Sequence, residues 1–119
     1  MRKKPEKTSL ERIPVRQNNK IILLPVAQIV SIVAEGRMLH LSTGTGESYE
    51  IDYRLKDLEA RLDPAKFVRL SRHALANVEF IRHAEVRSNG TYLVVFKNDR
   101  QLLVSRVQSR ILRARLFKL

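Results

Sequence analysis

The 119-residue chain has no cysteine and no tryptophan. Without cysteine there is no disulfide framework, no thiol nucleophile and no Cys-ligated zinc. Its aromatics are three Tyr and four Phe, and Phe67, Phe80 and Phe96 sit in apolar contexts that suit a core. Little is left to build the stacking platform of a single-strand nucleic-acid binder. No apolar run approaches the roughly 18 residues of a membrane span. The basic start, Met1–Lys7, is followed by no apolar h-region, so it does not read as a secretory signal and a cytoplasmic location is expected. Glycine and proline number four each, too few for a low-complexity chain.

Acid is scarce at both ends. Residues 1–20 hold seven Lys/Arg against two acids, a net of +5, and residues 100–119 hold six Lys/Arg and no acid, a net of +6. The residues between carry ten of each sign, so the net charge of +11 is terminal. A basic tail and a basic last element flanking a balanced body attract a polyanion at long range. Length and an apolar fraction of 44% indicate one globular domain with a real core.

Residues 1–11, with Pro5 and little that is apolar, read as a flexible basic arm or linker, and residues 12–119 as the folded domain. Arg12–Arg16 and Lys20–Leu24 flank Gln17-Asn18-Asn19, a hairpin candidate because Asn tolerates positive φ. Pro25–Gln28 can make one helical turn. Ile29–Ala34 is a β-branched run expected as a strand buried on both faces. Met38–Ser42 and Ser48–Asp52 flank Thr43–Glu47, a second hairpin. Leu55, Leu58 and Leu62 then fall at i, i+3, i+7, predicting an amphipathic helix of two to three turns that ends at Asp63-Pro64. Phe67–Leu70 resumes as strand. Val78–Arg87 and Thr91–Phe96 flank Ser88-Asn89-Gly90, a strong hairpin signal. Gln101–Val104 is a last strand. From Ser105, a candidate N-cap, a helix follows with Val107, Ile111 and Leu112 on one side and Arg106, Arg110 and Arg113 near the other. The expected fold is mainly β: elongated antiparallel sheets in a hairpin-rich sandwich, with a middle amphipathic helix and a short C-terminal helix.

The stretch Phe67–Ile81, F-V-R-L-S-R-H-A-L-A-N-V-E-F-I, places Arg69, Ser71, Arg72 and His73 between two apolar runs, with no acid until Glu79. Guanidinium groups held on a rigid turn suit phosphates and guanine edges. A turn at Ser71 would bring Arg69 and Arg72 together, with Arg72 aimed at DNA and Arg69 either supporting it or holding a phosphate. Ala74-Leu75-Ala76 favours a helical turn, with Ser71 as its cap. The bland alternative is a surface turn with solvated arginines. Ser105, Arg106 and Arg110 form a second candidate, because a helix N-terminus offers free N–H groups and positive dipole to a phosphate. Its alternative is a capped helix with a solvated arginine face. Glu35-Gly36-Arg37 is a third, a tight turn that projects Arg37.

His40, His73 and His83 show no metal-ligand spacing, so no metal and no cofactor is expected. Thr43–Glu47 lacks the lysine and strand-to-helix setting of a phosphate-binding loop. No nucleophile elbow or acid–base pair emerges, so an enzyme is not expected.

Several of these stretches together resemble one family. R-I-P-V-R near the start, I-V-S-I-V-A-E-G, the helix Y-R-L-K-D-L-E-A-R-L, the Phe67–Ile81 stretch and L-L-V-S-R follow one another as in the LytTR-type DNA-binding domain of bacterial two-component response regulators. The likeness runs from about Arg12 to Leu116. It implies an antiparallel β fold whose loops, rather than a recognition helix, enter successive major grooves at direct-repeat promoter sites on bent double-stranded DNA. By motif position it implies contacts by Arg72, by Arg106 and by the Gly36–Arg37 turn, and a structural role for Asn77. Departures are Ser71-Arg72-His73, where the family often has His, Arg, Ser, and Gly36, where it often has a larger polar residue. A receiver domain or sensor as partner and a dimer on DNA are compatible with the resemblance. No receiver precedes residue 12, which leaves an excised C-terminal domain or a stand-alone regulator. The competing readings are a basic β module for an acidic protein or an anionic membrane surface, and a single-strand nucleic-acid binder.

Overall fold

In the computed structural model, residues 9–119 are described. The arm expected at residues 1–11 therefore lies mostly outside the described residues. Its last part is tied down, since the Leu10 N–H donates to the Arg61 carbonyl at 2.9 Å.

The described chain forms ten strands and two helices. Strands β1 (Arg12–Gln17) and β2 (Lys20–Pro25) pair across Asn18-Asn19, and Asn18 takes the positive φ of 57° expected of such a turn. Pro25–Gln28 closes as a 3-10 turn over Val26–Gln28. Then come β3 (Ile29–Glu35), β4 (Met38–Thr43) and β5 (Ser48–Ile51). The helix α1 (Leu55–Glu59) leads to β6 (Phe67–Ser71) and β7 (Ala74–Asn77). A hairpin of β8 (Ile81–Val86) and β9 (Tyr92–Phe96), then β10 (Gln101–Leu103) and α2 (Arg106–Arg115), complete the chain.

The centre is a five-stranded antiparallel sheet in the order β5-β4-β3-β7-β6. Both of its faces are covered. On one face Ile32, Leu41 and Leu75 pack against Ile13 and Val15 of the β1–β2 hairpin and Leu58 of α1. On the other, Val30, Leu70 and Ala76 pack against Val94 and Phe96 of β9 and Leu112 of α2. That two-sided burial is why β3 reads as an apolar run broken by Ser31 alone, rather than as an alternation, up to Ala34.

Four expectations are corrected. The middle helix covers only Leu55–Glu59, because beyond Ala60 the backbone tightens into i→i−3 hydrogen bonds before the chain turns at Asp63-Pro64 to enter β6. Leu62 still reaches the core, at 4% exposure, from a tightening turn in which the Arg61 and Leu62 N–H groups donate to Leu58 and Glu59 carbonyls. Ala74–Ala76 is strand, since all three residues are buried between β3 and β6 and tertiary pairing overrides helical propensity. Val78–Phe80 forms a 3-10 turn ahead of β8, with the Glu79 N–H held by the Asn77 side chain. On α2, Leu112 and Ser109 are the buried positions, while Val107 is 63% exposed and Ile111 is 39% exposed.

Candidate nucleic-acid interface

Arg72 and His73 form the turn of the β6–β7 hairpin, between the paired residues Ser71 and Ala74. Both are exposed. Ser71 is not a helix cap. Its Oγ accepts the His73 N–H at 3.1 Å and closes the turn from inside.

Arg69 is turned inward. Its Nε and Nη2 donate to Glu59 Oε1 at 3.1 and 2.8 Å, and its Nη1 donates to the Ser71 and Arg72 carbonyls at 3.2 and 3.0 Å. One guanidinium thus links the end of α1 to the Ser71 and Arg72 carbonyls. The expectation that this cluster lacks a compensating acid is overturned by Glu59, ten residues upstream in sequence. Glu59 lay in a stretch of alternating helix charges and gave no sign of facing β6.

A second link reaches α2. The β6–β7 register skips Leu70 between the pairs Arg69↔Leu75 and Ser71↔Ala74. Such a bulge bends the strand and leaves a residue outside the ladder. The Leu70 carbonyl accepts from the Ser105 N–H at 2.9 Å. Ser105 in turn caps α2, its side chain accepting from the Gln108 N–H at 3.2 Å. Arg106, the first residue of the helix, and Arg110 one turn later are both exposed.

The third turn comes to the same place through strand pairing. β3 and β7 run antiparallel with Val33 opposite Ala74, so the end of β3 meets the start of β7. The Ala34 N–H extends that match by donating to the His73 carbonyl at 2.7 Å. The Gly36-Arg37 turn, two residues on, therefore emerges from the same rim of the sheet as Arg72-His73. Gly36 sits at φ 62°, which a β-carbon would penalise. Sequence reasoning singled out Arg37, Arg69, Ser71, Arg72, His73, Ser105, Arg106 and Arg110. Strand pairing and these hydrogen bonds bring the turns that carry Arg37, Arg72 and His73 and the start of α2 with Ser105 and Arg106 to one rim, with Ser71 closing the middle turn, Arg69 as a brace behind it and Arg110 one helical turn further along α2.

Asn77 holds this arrangement from the far end of β7. It is buried, its Nδ2 donates to the Ile29 carbonyl at 2.8 Å and its Oδ1 takes the Glu79 N–H at 3.0 Å. Among the described residues no group of His, Cys, Asp or Glu is arranged to hold a metal, and no helix is long and apolar enough to cross a membrane.

The family model of the LytTr DNA-binding domain matches residues 19–117. The chain belongs to the LytTr DNA-binding domain family. Among curated relatives of this LytTr domain, the transcriptional regulatory protein LytR of Staphylococcus aureus (strain MW2) is 30% identical over 81% of the chain and 39% of its own length. The sensory transduction protein LytT of Oceanobacillus iheyensis is 29% identical, with the same coverage of each chain. LytT of Bacillus subtilis is 25% identical over 93% of the chain and 51% of its own length. The chain thus spans about two fifths to one half of the relatives it matches. A solved LytTr DNA-binding domain from Bacillus cereus superposes with a TM-score of 0.82 at 18% identity, covering 89% of this chain and 96% of that one, which establishes the shared fold.

Proposed function

We propose that this LytTr domain binds double-stranded DNA sequence-specifically as part of a bacterial transcription regulator, placing its turns in successive major grooves at direct-repeat promoter sites. The observation that carries the reading is the convergence of the Gly36-Arg37 turn, the Arg72-His73 turn and the Ser105-Arg106 helix start on one rim, tied by the Ala34–His73 and Ser105–Leu70 hydrogen bonds of 2.7 and 2.9 Å. Arg72 and Arg106 are assigned the main contacts and Arg37 a third. Ser71, His73, Ser105 and Arg110 position phosphates, and Arg69 acts by fixing the turn that carries Arg72.

Five to seven phosphate contacts, at about 0.9 each, give a slope of log K against log salt of about −4.5 to −6. Sites are selected from random duplex DNA and the recovered duplex is titrated at several salt concentrations. Arg72→Ala then weakens the selected duplex by about 1–3 kcal/mol if it reads a base edge, and flattens discrimination against a scrambled duplex. Equal losses on both would make Arg72 a phosphate clamp. A slope near zero on every duplex would remove the DNA reading and favour the acidic-protein or anionic-surface alternative.

The single-strand reading is disfavoured by the aromatics. Phe67, Tyr92 and Phe96 are buried, and among the described residues Tyr53, at 39%, is the one exposed aromatic. Stacking successive bases needs several such faces.

A further inference from the structure

The strand order orients the rim and extends it. In the sequence β5-β4-β3-β7-β6, the β3–β4 turn lies inboard of the β6–β7 turn, and β5 lies on its other side. β5 pairs with β4 so that Ile51 faces Leu39, next to the start of β4. The chain leaving β5 therefore emerges at the same rim as Gly36-Arg37. The residues it delivers there are Asp52, Tyr53 and Arg54, which with Gly36 and Arg37 line a cleft of about 620 Å³.

Arg54 is the cation of this segment. Its side chain is 83% exposed, and its ionic contact with a described residue is a 4.0 Å approach of Nε to Asp57 Oδ2. That is too long for a hydrogen bond, so the guanidinium retains its donors. Tyr53 is 39% exposed and makes no hydrogen bond to another described residue through its hydroxyl. Across the cleft a β-carbon at Gly36 would meet nothing within 4 Å, so the space beside the turn is open. The acid lining the cleft, Asp52, is outnumbered by Arg37 and Arg54.

We infer that Arg54, with Tyr53, is a fourth DNA-contacting element of this domain, a phosphate clamp outboard of the Arg37 turn; the inference rests on the DNA-binding reading above. The physical reason is the shape of the ligand. A turn that enters a major groove about 12 Å wide has phosphate backbone on both of its sides. On the inboard side of Arg37, Ser71 and His73 of the neighbouring turn, already assigned to phosphates, are present to meet it. On the outboard side, strand order leaves the β5–α1 junction. Neighbouring strands are about 4.8 Å apart, so the junction lies within an arginine's reach of that backbone. The rim then carries Arg54, Arg37, Arg72 and Arg106 in a row. A phosphate contact adds affinity and register without sequence information.

The test compares Arg54→Gln with Arg87→Gln, which removes the same charge from an exposed residue at the β8–β9 hairpin. Each full-chain variant is titrated across salt concentrations with a random-sequence duplex and with the duplex selected from it. Arg54→Gln is expected to flatten the slope by about 0.9 on both duplexes, to leave thermal stability unchanged, and to be restored in slope by Arg54→Lys. Arg87→Gln is expected to leave the slope alone. Equal slopes for the two glutamine variants, on a parent that retains a steep slope, overturn the clamp while leaving the DNA reading standing. A parent with no slope overturns both.

Discussion

Removing the Glu59 carboxylate should loosen the Arg72 turn without deleting any group assigned to DNA. Glu59 Oε1 receives two N–H groups of Arg69, at 3.1 and 2.8 Å, and the same guanidinium holds the Ser71 and Arg72 carbonyls. The pair is neither fully buried nor free, with side-chain exposures of 21% for Arg69 and 39% for Glu59. Exposed ion pairs contribute about 0.2–1 kcal/mol and hydrogen bonds to charged groups about 1.5–3 kcal/mol. The coupling should lie between, at about 1–2 kcal/mol in a double-mutant cycle of Glu59→Gln and Arg69→Ala. For a domain of this size each kcal/mol lost by a single variant lowers Tm by about 4 °C, with Arg69→Ala losing more than Glu59→Gln because it also gives up the bonds to the Ser71 and Arg72 carbonyls. Both variants should weaken binding to the selected duplex by about 0.5–1.5 kcal/mol, the cost of ordering a side chain that the brace had held. The salt slope should not change, because no phosphate ligand has been lost. The opposite pattern, Arg69→Ala flattening the slope by about 0.9 while Glu59→Gln leaves stability and affinity untouched, would show that Arg69 turns outward to hold a phosphate and that the brace carries no weight.

Three further outcomes concern the scaffold behind the rim, each read by thermal or denaturant unfolding. Asn77→Ala should cost about 2–4 kcal/mol, because it strands the Ile29 carbonyl and uncaps the Glu79 N–H in a buried setting; a loss under about 1 kcal/mol would mean the carbonyl finds another donor. Ser31→Ala should be neutral or stabilising by up to about 1 kcal/mol, since Ser31 is 1% exposed and its hydroxyl has no partner among the described residues; marked destabilisation would reveal a hidden partner. Gly44→Ala should cost about 1–3 kcal/mol, because a β-carbon there would lie 2.8 Å from Phe80 Cε1. Phe80→Leu should recover part of that loss, and no recovery would place the strain elsewhere.

Local chemistry announced most of the elements. Hairpins were legible where Asn18 and Gly90 supply positive φ between β-branched runs, and α2 was legible from its Ser105 cap and its apolar spacing. What failed has one cause, the dependence of short segments on partners distant in sequence. Ala74-Leu75-Ala76 is helical by propensity and strand by position, because β3, more than forty residues earlier, needs small residues opposite Ser31 and Val33. Glu59 read as one of several solvated helix charges until the fold set it against Arg69. Val107, Ile111 and Leu112 read as one side of α2, yet the helix meets β6 through Leu112 and leaves Val107 and Ile111 exposed. The candidate residues were legible singly; their common rim was not, since it is a property of strand order.

That dependence on strand order also says what fixes the geometry of the interface. The body of the domain between residues 21 and 99 carries ten charges of each sign, so no general basic surface orients it on a polyanion, and placement must come from where the turns are held. The separation between Arg37 and Arg72 is set by the β3–β7 register, with Val33 opposite Ala74, and a slip of one residue would turn every side chain of β7 to the opposite face. Leu75 would leave one core and Ala74 and Ala76 the other, so the hydrophobic pattern that forbids the slip is also what spaces the arginines. Asn77 pins the same register from the far end through Ile29. Substitutions at Asn77 or within β7 should therefore disturb DNA binding without approaching the DNA, and should do so in proportion to their cost in stability. Substitutions of the exposed rim arginines Arg37, Arg72 and Arg106 should act on binding alone.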